Sequence, residues 1–141
     1  MLNQNLYLEK IQEIEALIAG KNFSAALFLC EKMIEGQIYF QIEELYLILS
    51  RINFSIKSYE KAFMYFSKVN DVTLKDNKYY FLKGQIFEKL KNFENAEHGY
   101  FVALRKAPKN RKYLKKYIEF VSKNNFYDSV IGKLEKLALT K

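Results

Sequence analysis

The hydrophobic positions between residues 92 and 108 follow the period of an α-helix. They fall at i, i+3, i+7, i+10 and i+11, on one helix face, as Phe93, Ala96, Tyr100, Ala103 and Leu104. Upstream, residues 80, 84 and 87 make the same pattern, and a short polar stretch at 90–92 separates the two segments. Pro108 ends the second segment because its ring cannot continue a helix. The pattern predicts a helix, a tight turn and a second helix.

This two-helix unit recurs four times along the chain. Aligned on the small residue early in the second helix, the copies are 36, 34 and 34 residues apart, at Ala26, Ala62, Ala96 and Val130. An aromatic residue stands three positions earlier in every copy, as Phe23, Tyr59, Phe93 and Tyr127. In the first three copies a lysine precedes the turn, at Lys21, Lys57 and Lys91. A period of about 34 residues built from two helices indicates a helical solenoid.

The third copy, residues 77–110, resembles the tetratricopeptide repeat (TPR) family. The positions that carry the resemblance are Tyr80, Gly84, Phe87, Ala96, Tyr100, Ala103 and Pro108. The second copy has matching residues at most of these repeat positions, but Asn53 stands where the family usually has an aromatic residue. The first and fourth copies match fewer positions. The resemblance implies an all-α fold, a right-handed superhelical array of about four TPR-like hairpins (an alpha-alpha solenoid). We expect a single domain over residues 1–141, with repeats at about 7–40, 43–76, 77–110 and 111–141.

In TPR arrays the first helices of the repeats line a groove that binds a peptide or helix of a partner protein. The groove residues that the alignment predicts are Leu47, Arg51, Phe54, Lys78, Phe81, Gln85, Lys112, Lys115, Lys116 and Glu119. The groove changes from apolar to basic along the chain, so a matching ligand would be amphipathic or acidic. A second interpretation is that Phe54 and Phe81 pack against neighbouring repeats and that the lysines are solvated surface.

One TPR subclass clamps the terminal carboxylates of chaperone tails, and Lys112 and Lys116 match its basic pair. The other clamp positions hold Leu47, Arg51 and Leu82, where the subclass has a lysine and two asparagines. Half of the clamp is missing, so a more general peptide groove is the better interpretation.

The net charge of +7 is unevenly distributed. Residues 1–76 carry a net charge of −2 and residues 77–141 a net charge of +9, and 20 of the 23 basic residues are lysines. Residues 105–116 contain seven basic side chains and no acid. Such a run could bind an acidic protein, the phosphates of RNA or DNA, or an anionic lipid surface. The low arginine content counts against nucleic acid. We therefore rank an acidic protein as the first candidate partner, RNA or DNA as the second and a lipid surface as the third.

No residue pattern indicates catalysis, a metal site or a cofactor. Cys30 falls in a core column with no histidine near it in sequence, and His98 falls on a surface face. Exposed helix faces account for the carboxylates Glu43, Glu44, Glu94 and Glu97, and the five glycines are isolated. We therefore expect a non-enzymatic interaction module or adaptor.

The longest apolar runs are far shorter than the roughly 18 residues of a membrane helix. We expect a soluble, cytoplasmic protein with no membrane span. The final predicted helix, at about 127–139, carries Ile131, Ala138 and Leu139 in addition to its inward face. We expect this surplus apolar surface to be covered by self-association or by a partner.

Overall fold

The computed structural model describes residues 4–124 and residue 135. In this part of the chain, seven α-helices and one 3-10 turn form, and no strand is present. They are α1 (Gln4–Ala19), α2 (Phe23–Glu35), α3 (Ile42–Ser55), α4 (Tyr59–Phe66), the 3-10 turn Val72–Leu74, α5 (Asn77–Lys89), α6 (Phe93–Lys106) and α7 (Arg111–Asn124). The predicted all-helical fold class is confirmed. The predicted second helix of the fourth copy, with its surplus apolar surface, lies outside the described residues.

The chain forms two compact units, Met1–Asp71 and Val72–Lys141. In the first unit α1 packs on α2, α2 on α3 and α3 on α4; in the second, α5 packs on α6 and α6 on α7. Each unit has a buried apolar cluster. The cluster of the first unit includes Ile14, Ala26, Cys30, Met33, Leu45, Leu49 and Ile52. The cluster of the second includes Phe81, Ala96, Tyr100, Leu104, Tyr113, Tyr117 and Phe120.

The turns inside the three helix pairs share one backbone geometry. Lys21, Lys57 and Lys91 adopt positive φ angles of 60°, 67° and 62°. In each turn the lysine N–H donates to the carbonyl three residues earlier, and the next N–H donates to the carbonyl five residues earlier. This is the Schellman arrangement, in which a left-handed residue ends a helix. The sequence repeat therefore corresponds to a repeated backbone conformation.

Two glycines let the backbones of α5 and α6 approach closely. A Cβ atom on Gly99 would lie 2.5 Å from the backbone nitrogen of Gly84 and 2.8 Å from the carbonyl oxygen of Tyr80. A Cβ atom on Gly84 would lie 2.5 Å from the ring of Tyr100. Gly84 thus occupies the small column that the repeat predicts, and Gly99 completes the same contact from the opposite helix.

Gly99→Ala should destabilise the second unit. Alanine is the better helix former, by about 1 kcal/mol, but its methyl group would collide with the backbone of α5. We expect a net loss of about 1–3 kcal/mol in the free energy of unfolding, measured by urea denaturation with circular dichroism. The control is Gly20→Ala, whose Cβ would meet nothing closer than 3.5 Å. Equal stabilities of the two variants would contradict the close contact.

Lys91→Gly should stabilise the protein. An L-residue in the left-handed region costs about 1–2 kcal/mol, and glycine relieves that cost while adding some flexibility to the unfolded chain. We expect a net gain of about 0.5–1 kcal/mol in the same denaturation assay. Lys115→Gly, in the middle of α7, is the control and should lose about 1 kcal/mol. A loss of stability in Lys91→Gly would contradict the conformational cost assigned to the left-handed lysine.

Candidate anion-binding surface of the second unit

Helices α5 and α7 lie side by side and run in the same direction. The ring of Phe81 stacks on that of Tyr113, with centroids 4.6 Å apart and an interplanar angle of 21°. Further along both helices, the Nζ of Lys116 lies 3.1 Å from the Oε1 of Glu88. Both contacts advance in the same sense, by seven residues on α5 and by three on α7, so the two helices run in the same general direction. The predicted groove residues of the third and fourth copies therefore lie on adjacent helices.

Phe81 belongs to the core of the second unit. It is 8% exposed, and its ring also packs edge-on against Tyr100 at 5.5 Å. The Nζ of Lys112 lies 5.3 Å from the centroid of the Phe81 ring, within the range of a cation–π contact. Phe81 thus lies beneath the ammonium group of Lys112. Its stacking on Tyr113 of the fourth copy agrees with the interpretation that Phe81 packs against a neighbouring repeat.

Lys116 is held by a carboxylate and an aromatic ring. Its Nζ pairs with Glu88 and lies 5.5 Å from the centroid of the Tyr100 ring. The hydroxyl of Tyr100 donates to the same Glu88 oxygen at 2.6 Å. Burial, and then the hydrogen bond to Glu88 and its negative charge, raise the pKa of Tyr100. Glu88 therefore offsets the charge of Lys116 but not that of Lys112.

The remaining cations of this face are exposed. Lys78 on α5 and Lys112 and Lys115 on α7 form no ion pair with another described residue. Glu119 is also exposed, and Gln85 is half-buried. We call Lys78, Lys112, Lys115 and Lys116 the basic surface.

The basic run 105–116 spreads over several faces. The Nζ of Lys106 lies 5.8 Å from the ring centroid of Tyr80, and the guanidinium carbon of Arg105 lies 5.9 Å from that of Phe101. Lys112, in contrast, covers Phe81. Neighbours in the sequence point to different rings because the run crosses from the end of α6 to the beginning of α7.

In the first unit, the predicted groove residues include an ion pair. The guanidinium of Arg51 on α3 pairs with the carboxylate of Glu15 on α1, and both side chains are about half-exposed. The hydroxyl of Tyr7 donates to Glu44 at 2.7 Å and joins the same two helices, so α1 and α3 are also parallel. Leu47 and Phe54 are half-buried, and the Phe54 ring packs on Tyr59 at 5.3 Å. The charged pair interrupts the apolar character expected at this end.

The prediction that exposed helix faces account for the carboxylates is wrong for Glu97. Its side chain is buried, and it accepts a hydrogen bond of 2.6 Å from the hydroxyl of Tyr117. Burial first, and then Glu97, raise the pKa of Tyr117. Glu43 is half-buried and accepts from the backbone N–H groups of Asn70 and Asp71. A tyrosine hydroxyl and backbone N–H groups thus donate hydrogen bonds to carboxylates that the helical period alone predicts to be on the exposed face.

Comparison with known proteins found no match. No family model, no curated protein and no solved structure matched this chain.

Neither the thiol nor the carboxylates form a reactive cluster in the part of the chain that the structure describes. Cys30 is fully buried and its thiol donates to the carbonyl of Leu45 at 3.7 Å. Burial and the charge of Glu31 raise the pKa of Cys30 to about 12. Within residues 4–124, no group of histidine, cysteine and acidic side chains is arranged to hold a metal ion, and no helix is long and apolar enough to cross a membrane.

Tyr117→Phe should reduce stability and change its dependence on pH. Removing the hydroxyl takes a hydrogen bond from a buried carboxylate, which should cost about 1–3 kcal/mol at pH 7. Because the folded-state pKa of Tyr117 lies above its unfolded value of about 10, its contribution is complete below that pH and declines as the pH rises towards the folded value. Urea denaturation between about pH 7 and 10.5 measures both effects.

The control is Tyr39→Phe, since the Tyr39 hydroxyl forms no hydrogen bond with a described residue. It should change the stability by less than about 0.5 kcal/mol. If Tyr117→Phe behaves like Tyr39→Phe at pH 7, the buried pair does not contribute to folding.

Proposed function

We propose that this chain is a non-enzymatic, TPR-like interaction module that binds an acidic or amphipathic segment of a partner protein. The proposed array has four helical hairpins in a right-handed superhelix, with the first helices on its concave side. Three equivalent Schellman turns support the repeat. The parallel pairs α1 with α3 and α5 with α7 support the lateral alignment of first helices.

The observation that carries the proposal is the set of cations on two adjacent parallel helices. Lys78, Lys112 and Lys115 form no ion pairs with described residues. An exposed ion pair contributes only about 0–1 kcal/mol, so a single carboxylate would bind weakly. An extended segment with several acidic residues would pair with several lysines at once. Such binding should weaken with added salt.

The rings near the basic run favour a protein partner over nucleic acid. Single-stranded nucleic acids bind by stacking bases on aromatic side chains between basic residues. Here Lys106 lies over Tyr80 and Lys112 over Phe81, and Phe81 is buried. The Phe81 ring beneath the basic surface therefore offers little area on which a base could stack. Binding of RNA or DNA through residues 105–116 is the alternative that the experiment below includes.

The test measures the affinity of a fluorescein-labelled peptide of alternating glutamate and leucine residues by fluorescence anisotropy. We expect saturable binding that Lys112→Gln/Lys115→Gln weakens by about tenfold or more, which corresponds to about 1.4 kcal/mol. Lys116 is left in place because Glu88 would lose its partner. The control, Lys61→Gln/Lys68→Gln, removes the same charge from two exposed lysines of the first unit that form no ion pair with described residues, and it should bind within about twofold of the unchanged chain.

A labelled oligothymidylate of the same charge forms the second arm. If it binds more tightly than the peptide and depends on the same two lysines, the nucleic-acid alternative replaces the protein one. If both double variants lower the affinity for the peptide equally, the affinity depends on net charge alone and the basic surface is not the binding site.

A further inference from the structure

A second group of basic side chains lies around Tyr80, on α5 and α6. The Nζ of Lys83 lies 2.9 Å from the Nδ1 of His98, and the His98 ring lies 6.1 Å from the Tyr80 ring. Lys106 approaches the same ring at 5.8 Å. Lys75 lies over the ring of Tyr79, which packs edge-on against Tyr80. We call Lys75, Lys83, His98 and Lys106 the Tyr80 cluster.

The Tyr80 cluster is distinct from the basic surface. At 3.6 residues per turn, Lys83 lies about 150° around α5 from Phe81 and Glu88, the residues that contact α7. None of its four members belongs to the basic surface. Its side chains come from the segment before α5, from α5 itself and from α6.

The glycine contact fixes the central pair of the cluster. Lys83 precedes Gly84 and His98 precedes Gly99 in the sequence, and these glycines bring the two backbones together. The separation of Lys83 and His98 is therefore set by the packing of α5 on α6. A site held by rigid helices loses less entropy on binding than one built from mobile loops.

The cluster has an excess of positive charge. Lys75, Lys83 and Lys106 form no ion pair with another residue in the described ranges. Four acids lie near it in sequence. Asp76 accepts from the N–H of Tyr79 to cap α5, Glu97 is buried and accepts from the hydroxyl of Tyr117, Asp71 is half-buried, and Glu94, one turn before His98, is exposed. Partial burial, and then the charge of Lys75, lower the pKa of Lys83. A bound anion would offset both effects.

The hydrogen bond between Lys83 and His98 defines the donors of the cluster. An ammonium group only donates, so the Nδ1 of His98 accepts and the ring carries its proton on Nε2. Lys83 keeps further N–H groups for a ligand. The donors come from separate elements, and each lies beside the linked rings of Tyr79, Tyr80 and His98.

We propose that the Tyr80 cluster binds a phosphate dianion, either free or on a phosphorylated side chain of a partner. A phosphate group offers three acceptor oxygens and a charge of about −1.5 to −2 at pH 7. That charge offsets the cluster better than a single carboxylate, which brings one charge and two oxygens. Charge-assisted hydrogen bonds of lysine to phosphate are among the stronger polar contacts. This site does not depend on the proposed function of the basic surface.

The only histidine of the chain provides the readout. The ring protons of His98 can be followed in one-dimensional proton NMR of the full chain while potassium phosphate replaces potassium chloride at constant ionic strength. We expect a saturable shift of both ring resonances. Lys83→Gln should weaken phosphate binding by about tenfold or more. Lys115→Gln removes the same charge from the basic surface and should change the affinity by less than about twofold.

Peptides distinguish the two sources of phosphate. A phosphoserine peptide, its unphosphorylated form and a glutamate form are titrated in the same way. Saturation by inorganic phosphate and by the phosphopeptide supports a partner's phosphorylated residue; saturation by inorganic phosphate alone supports the free anion. Equal affinity for the glutamate form, linear shifts without saturation, or equal losses in Lys83→Gln and Lys115→Gln would overturn the proposal. Circular dichroism of Lys83→Gln confirms that the variant is folded.

Discussion

The contact between Gly84 and Gly99 sets the arrangement of side chains in the second unit. Because neither residue has a Cβ atom, α6 approaches α5 closely enough for the Tyr100 ring to lie against Gly84. From there the Tyr100 hydroxyl reaches Glu88, and Glu88 holds Lys116. The same approach brings Lys83 to His98. The basic surface and the Tyr80 cluster therefore both depend on one close approach of two backbones.

Hydrogen bonds from tyrosine to carboxylate join the helices of both units. They link Tyr7 to Glu44, Tyr100 to Glu88 and Tyr117 to Glu97. A hydrogen bond to a charged group contributes about 1.5–3 kcal/mol, whereas an exposed ion pair contributes about 0–1 kcal/mol. These pairs therefore matter more to the fold than the ion pairs on its surface. They also explain part of the high tyrosine content, because each phenol fills a core position and compensates a carboxylate there.

The sequence predicted the helices and their turns well, since both depend on local patterns. The period of apolar residues located α5 and α6, and the recurring lysine marked three of the four Schellman turns in the described residues. The fourth, at Gln37 after α2, has no lysine. Contacts between distant residues could not be predicted in this way. The burial of Glu97 depends on Tyr117 of another helix, and the restraint of Lys116 depends on Glu88. A helical period gives the face on which a residue lies, but not the polar group that the next helix brings to that face.

The sequence predicts a groove that becomes basic in its third and fourth copies, and among the described residues two groups of lysines lie on different sides of α5. Lys112 and Lys115 are exposed, where water and salt weaken each attraction, so that side suits a ligand with many charges along its length. Lys83 is partly buried between α5 and α6, where the effective dielectric constant is lower and each charge interacts more strongly. That side suits one compact anion with a high charge density. Similar numbers of lysines therefore favour different ligands because their burial differs.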